Sequence, residues 1–157
     1  MAQNQSKMTL AVAAAQDSDV LQAVVEAKNM DIIDTILIGD ADEIKTIAKL
    51  KNLDIGSMKI INIPNLQESA LEAVRMVSSG AADFLMKGLI DTGTLLRAVL
   101  NKEIGLRTEN LLSHVMVYEV ANYHKLLFLT DGGMNIGPNL EEKKDIINNA
   151  IRAARAI

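Results

Sequence analysis

Residues 8–39 run MTLAVAAAQDSDVLQAVVEAKNMDIIDTILIG: an apolar stretch, a segment of helical period, then a second apolar stretch. Met8–Ala14 and Thr35–Ile38 are too continuously apolar for strands with one face in water, so each is read as buried on both faces. Between them, in Asp17–Met30, the residues Val20, Leu21, Val24 and Val25 share one helical face, and Asp17, Ser18 or Asp19 stands where a cap is needed. Gly39 breaks the second run. Strand, helix and strand in this order make a βαβ unit, and a βαβ unit makes a parallel sheet.

The rhythm continues outward from there. Asp40–Asn52 brings Ile44, Ile47 and Ala48 into register, and Met58–Ile63 is a third apolar run. Pro64 and Asn65 introduce a helix carrying Ala70, Ala73, Val74 and Val77 that closes at Gly80. The fourth run, Asp83–Met86, passes through Lys87-Gly88 into a helix at about Thr92–Leu100. The pattern then changes. Ser113–Val120 and Lys125–Thr130 read as two strands joined by the hairpin-length link Ala121–His124. Beyond a glycine-rich turn, Asn139 with Glu142 spells an N-cap and capping box for a last helix. Ile146, Ile147, Ala150, Ile151 and Ala154 share a face of that helix, which reaches Ile157 with no Gly, Pro or polar segment to end it and so reads as truncated. The expected fold is α/β: a parallel-sheet, three-layer domain over residues 1–157 with an antiparallel hairpin addition and a flexible polar N-terminus at 1–7.

Composition sets the limits. The 157 residues suffice for one domain burying roughly 70% of its unfolded surface. Hydrophobic residues at 49%, charged residues at 23% and a net charge of −4 describe a globular chain. A pI near 5.2 argues against a nucleic-acid partner. The absence of Cys excludes disulfides and thiolate metal sites, and fits a reducing compartment. No apolar run approaches the ~20 residues of a membrane span, and the N-terminus lacks a secretory apolar core, so a soluble cytoplasmic protein with no membrane partner is expected.

Chemistry is expected where strand ends feed helix N-termini. Lys87-Gly88-Leu89-Ile90-Asp91-Thr92-Gly93-Thr94 enters the helix that carries Arg97. Gly88 and Gly93 would let backbone N–H groups approach an anion, Thr92 and Thr94 would add hydroxyls, and Lys87 a charge. The Arg97 fork, leaning toward the helix N-terminus, would reach the same anion. The alternative is plain: Asp91 or Thr92 as an ordinary N-cap and Arg97 as a solvated surface residue. In the second loop, Asp131 and Asn135 either position a ligand or tie a tight turn, the commoner use of such residues. Ser113-His114 is not a catalytic pairing, because strand neighbours point to opposite faces; His114 is read as a structural strand histidine and His124 as an exposed turn residue. No cluster has metal-ligand spacing.

Several of these segments resemble the phosphate acetyl/butyryltransferase family, and within it the butyryltransferase branch. The densest match is Leu85–Lys102, which continues through Gly105–Thr108, Leu112–Val115, Leu127–Asp131, Met134–Ile136, Pro138 and Leu140-Glu141, with Ile36–Asp40 upstream. Gly132-Gly133 and Gly137 depart from it, standing where the resemblance leads one to expect alanines, a change that would loosen the turn. The resemblance implies an isocitrate/isopropylmalate dehydrogenase-like fold with ligands in a cleft. It implies that Lys87, Gly88, Thr92, Gly93, Thr94 and Arg97 bind phosphate, with Arg107, Ser113, His114, Asp131 and Asn135 as further cleft candidates. It implies transfer of a short acyl group between coenzyme A and phosphate, with acyl-CoA, phosphate and acyl phosphate as ligands, coenzyme A as substrate, no resident cofactor or metal, and a homo-oligomer. The general base is expected from a C-terminal half absent from these residues. The competing expectations are a phosphate acetyltransferase, a non-catalytic α/β module that binds a phosphorylated ligand, and an assembly piece that buries its apolar edges in a dimer.

Overall fold

Strands and helices alternate strictly through the first two-thirds of the chain, because each buried strand needs helices to cover its two faces. The computed structural model describes residues 7–157; the segment 1–6, most of the stretch read as a flexible N-terminus, lies outside the described residues. The chain divides into two compact units, Met1–Arg107 and Thr108–Ile157.

The first unit contains β1 (Met8–Ala13), α1 (Ser18–Asn29), β2 (Ile33–Gly39), α2 (Ala41–Leu50), β3 (Lys59–Asn62), α3 (Leu66–Ser78), β4 (Phe84–Lys87) and α4 (Thr92–Val99). Its four strands form one sheet in the order β3-β2-β1-β4, with every pairing parallel. Alternation along β1 sends successive side chains to opposite layers. Leu10 and Val12 pack with Leu37, with Leu21, Val24 and Val25 of α1, and with Ile44 of α2. Ala11 and Ala13 pack with Ile36 and Ile38, with Ala70, Ala73 and Val74 of α3, and with Leu95 and Ala98 of α4. The result is the expected three-layer sandwich of helices, sheet and helices. Of the three candidates for the first cap, Asp17 serves: its carboxylate accepts from the Asp19 and Val20 amides. Asp40, Asn65 and Asp91 repeat the device for α2, α3 and α4.

The second unit holds β5 (Val115–Tyr118), β6 (Leu127–Thr130) and α5 (Leu140–Ala156). The two strands pair antiparallel, Val115 opposite Thr130 and Tyr118 opposite Leu127. The capping box at Asn139 and Glu142 is present with both of its hydrogen bonds. Two expectations need correction. Ser113 and His114 precede the strand, because the His114 N–H is taken by the Asp131 carboxylate (2.8 Å) and its carbonyl by the Thr130 hydroxyl (2.7 Å). The link also exceeds Ala121–His124, since Lys125 and Leu126 stay exposed and outside the ladder. Of the apolar face read on α5, only Ile146 is buried. No helix among the described residues is long and apolar enough to cross a membrane.

Candidate functional site

The chain runs from β1 to β2 and β3 on one side, then crosses to place β4 on the other side of β1. The carboxyl ends of β1 and β4 therefore flank a topological switch point, where open α/β sheets collect ligands. The loop leaving β4 is laid directly on the end of β1. The Gly88 and Leu89 amides donate to the carbonyls of Ala13 and Ala14, each at 2.8 Å. A Cβ on Gly88 would stand 2.1 Å from the Ala14 carbonyl oxygen, so only glycine permits the approach. This corrects one expectation, because the Gly88 N–H is spent on the sheet and is not offered to a ligand. Lys87 is engaged as well, its ammonium donating to the carbonyls of Ile90 (2.9 Å) and Gly88 (3.3 Å). It clamps the turn with the same charge it brings to the loop.

The cap of α4 is Asp91, not Thr92. Its side chain accepts the Thr94 amide at 2.9 Å, and the Leu95 amide returns to the Asp91 carbonyl. Thr92 and Gly93 are the first residues of the helix, where amides have no acceptor within it. Arg97 is exposed and folds back along the helix as its direction predicts, Nη2 donating to the Thr94 hydroxyl oxygen at 2.6 Å. Thr94 is itself buried and joins Arg97 to Asp91. Hydrogen bonds from the Thr94 side chain and backbone, helped by the Arg97 charge, hold the Asp91 carboxyl below the usual carboxylate range. Two amides without a partner among the described residues, the positive end of a helix dipole and a tethered guanidinium thus meet around one helix start, which can hold an oxyanion.

The second unit gathers three of the other candidates, His114, Asp131 and Asn135, into a single hydrogen-bonded turn. The Asp131 carboxylate accepts from the His114 amide through one oxygen, and from the Asn135 amide (2.7 Å) and side chain (2.9 Å) through the other. These bonds, His114's first, keep its carboxyl below the usual range. Asn135 also donates to the Leu112 carbonyl at 3.0 Å. Asp131 and Asn135 therefore tie the turn, the commoner of the two roles. Ser113 accepts from Asn149 Nδ2 at 2.9 Å, and the same amide group reaches the Leu111 carbonyl. Sequence reading missed Asn149; one polar residue on a helix face carries no local signal of a partner more than thirty positions upstream. Arg107 is exposed and makes no hydrogen bond or ion pair among the described residues. Among those residues no group of three or more acidic or His side chains could hold a metal ion.

Comparison with known proteins gives matches along nearly the whole chain. The profile of the family described as phosphate acetyl/butaryl transferase matches residues 1–70 and 64–157. A phosphate butyryltransferase of Clostridium acetobutylicum is 52% identical over 148 residues, 94% of this chain and 49% of that protein. A phosphate acetyltransferase of Thermotoga maritima is 38% identical, over 94% of this chain and 50% of its own length. A solved branched-chain phosphotransacylase from Enterococcus faecalis superposes with a TM-score of 0.78 at 30% identity, covering 94% of this chain and 51% of that one. The chain thus spans about half the length of these relatives.

Proposed function

This chain belongs to the phosphate acetyl/butyryl transferase family, and on that premise we propose that the protein moves a short acyl group between coenzyme A and inorganic phosphate. In the reading favoured here, butyryl-CoA and phosphate give butyryl phosphate and coenzyme A. A phosphate oxygen attacks the thioester carbonyl, the C–S bond breaks and the thiolate leaves; the reverse reaction forms C–S and breaks C–O. Both directions develop charge on the carbonyl oxygen and on phosphate, and fixed donors are what lower such a barrier.

The observation that carries the reading is Arg97 folded back toward the N-terminal amides of α4 beside the switch point. Within it, Thr92, Gly93 and Arg97 hold phosphoryl oxygens, Thr94 orients Arg97, and Lys87 and Gly88 fix the shape of the loop. Ser113, His114 and Arg107 remain separate candidates for ligand contact, and Asp131 and Asn135 hold the turn beside His114. No base is assigned, since both oxygens of Asp131 already accept hydrogen bonds that hold its neighbours in place. The same reading makes coenzyme A a substrate, makes the protein cytoplasmic and has it act as a homo-oligomer.

The test is thiol release from butyryl-CoA with phosphate by the full chain, with acetyl-CoA in parallel. No release from either substrate ends the proposal. A higher kcat/KM with acetyl-CoA transfers it to the acetyltransferase alternative. A second reading of the same helix start is a module that binds a phosphorylated ligand without chemistry. Phosphate titration addresses both: Arg97→Ala should weaken binding at least tenfold, as expected for a lost charge-assisted hydrogen bond worth about 1.5–3 kcal/mol.

A further inference from the structure

Ala14, the residue after β1, has a left-handed backbone with φ 52°, although it carries a side chain. Such a conformation persists only where its surroundings enforce it. Its carbonyl accepts the Leu89 amide of the β4–α4 loop at 2.8 Å. Its own amide donates to Ser69 of α3, whose hydroxyl oxygen lies at 2.9 Å. Ser69 is completely buried, and its hydroxyl proton goes to the Ile38 carbonyl at 3.0 Å. A helical serine often returns its hydroxyl to its own helix; this one joins the ends of β1 and β2 instead. The Ile38 carbonyl has a second donor in the Ala15 amide, but the Ala14 amide has no other acceptor among the described residues. Without Ser69 a buried N–H is therefore orphaned, and rotation of Ala14 out of its strained conformation relieves both faults. That rotation would carry the Ala14 carbonyl away from Leu89, just before the Asp91 cap.

We propose that Ser69 is a positioning residue for the anion site: by holding Ala14 left-handed it fixes the loop that delivers Asp91, Thr92 and Gly93, while touching no ligand itself. The anion in this statement rests on the transferase reading; the link from Ser69 to the loop does not, and the two are measured separately. Amide exchange of the full chain is the first arm. In Ser69→Ala the Leu89 amide should exchange roughly tenfold faster relative to the amides of β1, the scale of losing one hydrogen bond's hold. Adding Ala14→Gly should return most of that change, because glycine adopts the left-handed backbone without being held there. Val74→Ala, which opens a cavity in the same core from the same helix, should lower Tm yet leave Leu89 in step with β1. Leu89 staying in step with β1 in Ser69→Ala overturns the proposal, as does a change that Ala14→Gly leaves untouched. Should Ser69→Ala not fold, Ser69→Cys replaces it, since a thiol nearly keeps the shape but bonds weakly.

Titration with inorganic phosphate is the second arm. Ser69→Ala should raise Kd roughly fivefold, less than Arg97→Ala does, because the donors are displaced and not removed. Ala14→Gly in that background should recover most of the affinity, and Val74→Ala should bind as the unsubstituted protein does, although it too is less stable. Equal affinity in Ser69→Ala and the unsubstituted protein overturns the positioning role and leaves Ser69 as a structural link. So does an equal loss in Ser69→Ala and Val74→Ala, which would trace the effect to stability alone. No saturable phosphate binding by the unsubstituted protein overturns the anion site itself and the positioning role with it. That failure is separate from the first arm, where Leu89 exchange still shows whether Ser69 holds the loop.

Discussion

One methyl group separates two uses of Gly88. If the residue merely lent flexibility for a ligand, Gly88→Ala would be mild; here the new Cβ would meet the Ala14 and Ala13 carbonyl oxygens at 2.1 and 2.7 Å. Backbone cannot swing aside as a side chain can. The substitution should therefore cost about 3 kcal/mol, at the upper end for overpacking, and calorimetry should show a fall in Tm of roughly 10 °C or more. Asp91 makes a prediction with a sign. Its folded-state pKa lies below the unfolded value of about 3.9, so its contribution is complete above that value and is lost as pH falls through the folded one. The gap in urea midpoint between the parent and Asp91→Ala should hold from neutral pH down to about pH 5, then narrow toward pH 2. A gap that widens in acid would refute the assignment. At this scale the sequence shows residue types but not how they are spent. From their spacing alone, Lys87, Thr94 and Arg97 read either as an anion-binding kit or as an ordinary helix cap with a solvated arginine. That the Gly88 amide is already bonded is invisible, because its acceptor lies on a strand far upstream and only pairing brings it near.

Elements are legible where their signals are local. The cap of α5 needs only Asn139 and Glu142, three positions apart, and both hydrogen bonds of the box are formed. Asn139→Ala should cost about 1 kcal/mol, and amide exchange across α5 should speed up roughly fivefold. Unchanged exchange would mean that the helix is held by something other than its cap. Strand ends are less legible, because a strand ends where its partner does and not where its apolar residues run out. Ser113 and His114 look like the start of β5, but Asp131 and Thr130 take the His114 backbone groups that a longer ladder would need. Leu126 looks like part of β6, yet it has no place opposite Tyr118, where Leu127 already stands.

Across the molecule, buried apolar surface decides which parts can stand alone. Among the described residues every buried hydrophobic residue but Ile146 lies between Leu10 and Ala98, on the two faces of the parallel sheet. That division cannot be read from periodicity: the apolar runs of β5 and β6 resemble the earlier ones, yet Met116, Val117, Tyr118 and Leu129 are exposed. The central strands β1 and β2 are buried because the helices of the βαβ units cover both faces of the sheet, whereas β5 and β6 share the single helix α5. A two-stranded hairpin is marginal in water by itself, and one capped helix adds little without a core to rest on. A fragment of residues 1–107 should therefore melt cooperatively with native-like far-UV circular dichroism. A fragment of residues 108–157 should show weak helicity and no cooperative transition, even with its capping box intact. A sharp melt from the second fragment would mean that the exposed apolar residues of β5, β6 and α5 can close on one another. The turn around Asp131 would then fold without help from the sheet unit.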